Sequence, residues 1–338
     1  MSTNSAIAAS GLATTLAIAV TAGVAYALPA DRTHVTAPTV FAPGVVSGPA
    51  HDSAPAFTPD GATLYFQRSS SEGATILETH REGEGWSQPR VAPFSGTWSD
   101  LEPSLSPDGR FLVFISNRPA QPGGALLDGD YNGQHHAGHG GNLWRVDREG
   151  DGWGTPWRLP DAVNGSNATF ATSVVADGSV HFMHPSGDTG KFHLYRSQYR
   201  DGTYMAPEPL PFSSSDAFSD VDPAVAADES FMVFGSGREP ARGMDLFIVL
   251  REGGHWGTPQ HMGDVVNAAG SDAEPRLGPD GCTLYFSSER TVPIHYPRDP
   301  AQAARDLDRI QSWDNGQYNI WRTSLAPWVP ACRGAAPR

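Results

Sequence analysis

Carboxylates at two repeated positions are the residues of this sequence that could do chemistry. An aspartate with a proline three residues later occurs at Asp52, Asp100, Asp220 and Asp272. In three of these copies a second acid stands two residues after the aspartate, at Glu102, Asp222 and Glu274. Two such carboxylates, one as acid and one as base or nucleophile, suit glycoside hydrolysis. Nothing in the sequence separates them from acids that stabilise turns, and both interpretations stay open.

Arginines recur beside these acids. The pattern Phe-x-Ser-x-Arg ends at Arg118, Arg238 and Arg290. The charged ring that results could hold a sugar, a peptide terminus or a metal, and we take Asp100, Asp272 and the three arginines as candidate ligand contacts. Recurrence itself favours a structural role, in which each aspartate caps a turn and each arginine bridges to a neighbouring repeat.

Histidines are concentrated where the repeat is interrupted. The first insertion, residues 119–141, contains His135, His136 and His139 with two acids, Asp128 and Asp130. Such a tract can bind a divalent metal, which is the one cofactor that the sequence suggests. Its glycines favour an irregular loop over a helix, and a solvated polar loop without metal is the alternative.

The second insertion, residues 291–317, predicts a short helix. Asp299 followed by proline is a favoured helix start, and an apolar stripe follows with helical spacing. The stripe consists of Ala303, Leu307 and Ile310. We expect this helix to cover the mouth of a channel, with His295 as a catalytic candidate and Tyr296 as a ligand contact beside it, or simply as packed loop residues.

A repeat positions all of these residues. The unit from Asp52 to Phe66 returns at 100–114, 220–234 and 272–286, with a degenerate copy at 169–183. Each copy has two short apolar runs joined by a Pro-Asp-Gly type of turn, which predicts a β-hairpin. The degenerate copy lacks the first aspartate and the arginine and offers histidines instead, of which His184 is a candidate ligand contact.

Two further strands follow each hairpin, and four strands at a period near 50 residues indicate propeller blades. The last repeat stops after its third strand, and residues 40–47 resemble the missing fourth strand. We therefore predict an all-β fold: one five-bladed β-propeller over residues 28–338, closed by the N-terminal strand. Six blades are the alternative.

The aspartate-proline pattern, the Pro-Asp-Gly turn and Phe-x-Ser-x-Arg resemble the TolB-like, WD40-like propeller repeat of exported bacterial proteins. The resemblance spans roughly residues 38–325 and implies a propeller fold. Its members include periplasmic scaffolds, propeller domains of peptidases and carbohydrate-active lyases, so it does not fix a function.

Composition and charge exclude several functions. The chain of 338 residues has a net charge of -14, which disfavours nucleic acid and anionic lipid as partners. Lys191 is its one lysine and lies in neither a P-loop nor a Schiff-base context. Residues 1–27 read as a signal peptide ending in Ala-Tyr-Ala, with an uncleaved anchor as the alternative, and no span is expected after cleavage.

Export also fits the cysteines. Cys282 and Cys332 are expected on one face of the last blade, as a disulfide in an oxidising compartment or as two thiols. We thus expect a periplasmic or secreted module that binds a polar small molecule, a glycan or an envelope protein. A carbohydrate-active hydrolase or metal-assisted lyase is the alternative, with Glu102, Asp222, Glu274 and His295 as catalytic candidates.

Overall fold

The computed structural model describes residues 35–187, 189–239, 243–268 and 270–334. The export segment predicted over residues 1–27 lies outside these ranges. Within them, no helix has the length and apolar character that a membrane crossing requires.

The strands of the described residues form five blades, as predicted, and the first strands of successive blades contact one another around a central channel. The first blade consists of His51–Phe57, Thr63–Ser70, Gly73–Glu82 and Arg90–Val91. The second consists of Asp100–Leu105, Phe111–Ser116, Asn142–Glu149 and Trp157–Arg158. The third consists of Phe170–Val174, Val180–Pro185, Phe192–Ser197 and Glu208–Pro209. The fourth consists of Asp220–Val225, Phe231–Ser236, Asp245–Glu252 and Gln260–His261.

The fifth blade joins the two ends of the chain. Its strands Asp272–Leu277, Thr283–Ser288 and Asn319–Ser324 are completed by Thr39–Val40 from the N-terminal end. Val40 pairs with Trp321 in antiparallel register. The ring is therefore closed by hydrogen bonds between segments far apart in sequence, as predicted from the missing fourth strand of the last repeat.

Short strands, a helix and a 3-10 turn lie outside the four main strands of the blades. The third strands turn back through Gly85–Trp86, Gly152–Trp153, Tyr199–Arg200 with Thr203–Tyr204, and His255–Trp256. The first insertion carries the strands Gly129–Tyr131 and Gln134–His136, and the second carries the helix Pro300–Ser312. A 3-10 turn, Pro330–Cys332, ends the described chain.

The two ends of the channel carry different parts of the repeat and are named here by them. We call the end where the inner strands begin, with Asp52, Asp100, Asp220 and Asp272, the entry face. We call the end with the Pro-Asp-Gly type turns the turn face. The predicted disulfide between Cys282 and Cys332 is formed, with an S–S distance of 2.06 Å, and it fixes the C-terminal tail to the turn face.

Apolar side chains of neighbouring blades fill the space between them. Phe66, Phe114, Phe182, Phe234 and Phe286 occupy the same position in the second strand of each blade and are fully buried. This repeated aromatic layer holds the inner strands in place, and thereby the side chains that line the channel.

Candidate functional site

A backbone irregularity aims the second acids of the repeat into the channel. The residue two positions after the first aspartate of the repeat, or after its equivalent, has a positive φ between 43° and 55° in every inner strand, and the pairing with the second strand shifts register there. These residues are Ala54, Glu102, Ala171, Asp222 and Glu274. Such bulges redirect a side chain and increase the local bend of the strand. The bulge belongs to all five blades, but only three of them place a carboxylate on it.

The three carboxylates lie close enough to affect one another. The backbone N–H of Glu274 donates to Asp222 Oδ2 at 3.2 Å, and Ser287 Oγ donates to Glu274 Oε2 at 2.9 Å. Burial and the charges of Asp222 and Glu274 raise the pKa of Glu102 well above its usual range. Burial and Glu274 raise the pKa of Asp222 to about 7, although Arg276 opposes this. The channel thus holds Asp222, which keeps its proton in part near neutral pH, beside Glu102, whose pKa is raised as well.

Glu102 also lines a pocket that opens on the entry face. This entry pocket, of about 290 Å³, lies between the second and third blades. Glu102 Oε2 is buried in it without a hydrogen-bond partner among the described residues. A buried carboxylate oxygen without a partner is unusual in a folded protein and is the kind of atom that a ligand hydroxyl or ammonium satisfies.

Aromatic rings form the opposite wall of the entry pocket. Tyr131, from the first insertion, packs against Phe170 and Phe192 of the third blade, with ring centroids 5.7 and 5.5 Å apart. His136 stacks on the other side of Tyr131 at 4.0 Å. The pocket therefore combines apolar ring surfaces with one carboxylate, a combination that suits ligands with both apolar and polar faces.

The first aspartates and the arginines are paired with each other. The pairs are Asp52–Arg68, Asp100–Arg118, Asp220–Arg238 and Asp272–Arg290, with N–O distances of 2.6, 2.7, 2.8 and 2.7 Å. Each aspartate is almost fully buried. Three of the arginines also donate to a backbone carbonyl that follows the outer strand of the preceding blade. Their charges are therefore used between blades, as the structural interpretation predicted, and ligand contact by Asp100, Asp272, Arg118, Arg238 or Arg290 remains a prediction.

The insertion histidines do not converge on a common point. His135 faces Asp130 at 2.9 Å and Asp128 at 3.7 Å, and these acids raise its pKa. His136 stacks on Tyr131, and His139 lies at the entry pocket. Metal binding by these three histidines stays a prediction, now one that would require the hairpin to rearrange.

A different group brings three potential metal ligands together. Among the described residues, oxygen and nitrogen atoms of Glu239, Asp245 and His261 lie within 4.8 Å of one another. His261 Nδ1 accepts from the Gly263 amide at 3.1 Å, so the ring proton is on Nε2, which lies 3.0 Å from Asp245 Oδ2 and 2.9 Å from Asn267 Nδ2. A metal would have to displace this proton.

The remaining candidates lie apart from the channel acids. His184 stacks on Tyr195 at 3.8 Å, Nδ1 lies 3.0 Å from the Pro185 carbonyl, and burial lowers its pKa. His295 and Tyr296 are exposed on the second insertion, and no contact of the described residues joins either to a channel carboxylate. The structure thus groups three of the four catalytic candidates and separates His295 from them.

The helix of the second insertion forms as predicted but packs by a different face. Asp299 caps it by accepting from the Gln302 amide at 2.7 Å. Its one buried residue is Asp306, which binds Arg298 and Arg309, whereas Leu307 and Ile310 of the predicted stripe are exposed. The ion pairs of its buried face join Asp306 and Arg309 to other residues of the second insertion, and hydrophobic periodicity alone does not reveal such packing.

Two contributors to the entry face were missed from the sequence. We expected an irregular loop at residues 119–141, but part of it is a β-hairpin whose turn has φ of 51° at Asn132 and 71° at Gly133. Asn-Gly is a strong hairpin signal, and it would have placed Tyr131 on a strand. Arg68 pairs with Asp52 although it follows Phe66 by two residues instead of four, so the spacing rule overlooked it.

Comparison with known proteins gives matches of structure only. No family model matches the chain, and no curated protein does. A protein assigned as TolB from Agrobacterium tumefaciens is similar at 20% identity and a TM-score of 0.45, with 74% of each chain covered. TolB from Acinetobacter baumannii is similar at 16% identity and a TM-score of 0.44, over 81% of this chain and 54% of that one. The propeller fold that the resemblance implied is confirmed by the five blades of the structure itself.

A third solved structure is described as a gluconolactonase, XC5397 from Xanthomonas campestris. It is similar at 15% identity and a TM-score of 0.42, with 84% of each chain covered. At such identities the likeness extends to the fold and to nothing else.

Proposed function

We propose that this protein is an exported binding module whose entry pocket holds a carbohydrate. One observation carries the proposal: a buried carboxylate oxygen without a partner, on Glu102, shares a pocket with the rings of Tyr131, Phe170 and Phe192. The apolar face of a sugar ring packs against aromatic side chains, and its hydroxyl groups can donate to or accept from a carboxyl group. The pocket volume of about 290 Å³ suits one sugar unit, with the remainder of an oligosaccharide at the surface.

Titration with defined oligosaccharides tests this proposal. Cello-, malto-, xylo- and chito-oligosaccharides are titrated into the protein by calorimetry at pH 7. We expect saturable binding of at least one series, and a loss of tenfold or more on Tyr131→Ala. Trp157→Ala, which removes an exposed ring of the second blade away from the pocket, serves as the matched control and should bind as the wild type does. Equal affinities of both variants would contradict the proposal.

Hydrolysis of the bound carbohydrate is the second candidate function. The raised pKa of Glu102 and that of Asp222, about 7, favour it, since a general acid must keep its proton near neutral pH. Release of reducing ends from a binding oligosaccharide would be measured for the wild type, Glu102→Gln and Asp222→Asn. Turnover that both variants lose while still binding supports an enzyme, and the absence of turnover leaves a binding module.

The proposal also covers the compartment in which the protein acts and a site for a divalent metal. The disulfide is consistent with an oxidising compartment, and we propose the periplasm or the exterior as the site of action, with an envelope glycan or protein as the partner. A divalent metal is also proposed at Glu239, Asp245 and His261. A rise in melting temperature on adding zinc or calcium after EDTA treatment, lost in His261→Ala, tests it.

A further inference from the structure

The turn face contains a second cavity, which is distinct from the entry pocket. It encloses about 570 Å³, a volume typical of small-molecule sites. We call it the turn cavity. The inner strands form its base, and the disulfide-bound tail forms part of its rim through Val329, Ala331 and Cys332.

The turn cavity is lined by a layer of five residues, one from each inner strand. In each inner strand this residue follows the proline of the aspartate-proline pattern, or its equivalent. It is Arg276 in the fifth blade and small in the other four, at Ala56, Ser104, Ser173 and Ala224. All five line the turn cavity. The small side chains leave room, and the arginine provides a charge in that layer.

The guanidinium of Arg276 is incompletely bonded. Arg276 is 5% exposed, and its Nη1 donates to the Pro275 carbonyl at 2.8 Å. Nε and Nη2 are buried without a hydrogen-bond partner among the described residues. These two atoms form the edge of a guanidinium that binds a carboxylate through two parallel hydrogen bonds.

Arg276 acts on the channel acids without a direct ion pair to them. The ion pairs of 4.0 Å or less found among the described residues do not include Arg276. Its charge opposes the rise that burial causes in the pKa of Glu102 and of Asp222, and Glu274 is a third acid of the same group. Asp228, an acid on the cavity lining, is exposed and accepts from the Ser230 amide.

Apolar residues cover most of the wall beyond Arg276. Phe57, Leu105, Val174, Val225 and Leu277 line the cavity one residue further along each inner strand. We propose that the turn cavity binds a small carboxylate with an apolar body, its carboxylate on Arg276 and its hydrocarbon part against the apolar residues of the lining. Burial of such a chain contributes about 0.8 kcal/mol for each methylene group, while the charge-assisted pair selects the anion.

Calorimetric titration with sodium octanoate and with 1-octanol tests this site. The two probes share a hydrocarbon chain and differ in the charged group. We expect octanoate to bind saturably at one site and octanol to bind at least tenfold more weakly. Arg276→Gln should reduce octanoate affinity at least tenfold and leave octanol unchanged. Equal affinities for the two probes, or no saturable octanoate binding, would overturn the proposal.

A rim variant keeps the test independent of the buried arginine, whose loss could prevent folding. Ala331 is exposed and lines the cavity, so Ala331→Trp should block the mouth and abolish octanoate binding. Ala62→Trp changes an exposed alanine of a turn that does not line the cavity, and it should bind octanoate as the wild type does. Octanoate binding that survives Ala331→Trp would place the ligand elsewhere and refute the assignment. Tyr131→Ala should leave octanoate binding unchanged, which separates this site from the entry pocket.

Discussion

Replacement of Asp222 by asparagine is expected to stabilise the folded protein, most strongly above pH 7. The folded environment raises the pKa of Asp222 from its ordinary 3.8 to about 7, chiefly through burial and then through Glu274. Because the folded state holds this proton more tightly than the unfolded state, the free energy of unfolding falls as pH rises from about 4 to about 7. Asparagine carries no charge at any of these pH values and can still accept from the Glu274 amide.

The size of the effect follows from the same difference. A change from 3.8 to about 7 corresponds to about 4 kcal/mol at 1.36 kcal/mol for each pH unit. Urea unfolding of the wild type and the variant at pH 5 and pH 8 measures it. We expect the variant to gain up to about 4 kcal/mol at pH 8 and roughly 1 to 2 kcal/mol at pH 5, since only part of the titration has then occurred.

A neighbouring aspartate on the same strand provides the control. Asp220 is bound to Arg238 at 2.8 Å and accepts from Ser236 Oγ at 2.6 Å. Asp220→Asn should destabilise the protein, because it removes the charge that compensates a largely buried arginine. If Asp222→Asn also destabilises, or if its effect is the same at pH 5 and pH 8, the channel acids are not strained by burial and repulsion as we argue.

Three further predictions concern stability. Arg118→Met leaves the buried Asp100 without its partner and should lower the free energy of unfolding in urea by about 3 to 5 kcal/mol. Arg110→Met breaks an exposed ion pair and should lower it by less than about 1 kcal/mol. Equal losses would refute the structural role of the aspartate-arginine pairs at the entry face. Removing the disulfide by Cys282→Ala with Cys332→Ala should cost about 4 kcal/mol in guanidinium unfolding, because it closes a loop of about 50 residues, and an unchanged midpoint would contradict this. Asp299→Ala should speed hydrogen exchange in the helix of the second insertion through the loss of about 1 kcal/mol of capping, with the blade strands unaffected; exchange that is unchanged throughout would show that the cap contributes nothing.

The architecture was predictable because it repeats. Four strands for each unit, the spacing from the aspartate to the Pro-Asp-Gly turn, and the missing last strand together determine five blades and their closure by Val40 against Trp321. The same topology favoured the disulfide over two free thiols, since the chain turns at Cys282 and the tail returns to the same face, and the disulfide is formed.

The candidate site was predictable only in part. Glu102, Asp222 and Glu274 were recognised as acids, but the left-handed backbone that aims them into the channel occurs without glycine, so no residue type announces it. The turn at Glu229 is similar: φ is 56° where the other blades have glycine, and His181, Arg196 and Arg251 bind its carboxylate. Tertiary contacts stabilise such conformations, and a local pattern does not contain those contacts.

The aromatic wall illustrates a further limit. Tyr131 lies about 40 residues before Phe170 in sequence, and the two meet because the first insertion folds back across the second and third blades. The sequence contains the Asn-Gly signal for the hairpin, but it does not indicate which blades the hairpin packs against. The pairing of a wall from one insertion with an acid from an inner strand therefore emerges only in three dimensions.

A crystal structure of the protein with a bound oligosaccharide tests the central claim most directly. The account predicts a sugar ring against Tyr131 in the entry pocket, with a hydroxyl group within hydrogen-bond distance of Glu102 Oε2. Density for the sugar outside the entry pocket, with Glu102 still unpartnered, would contradict it.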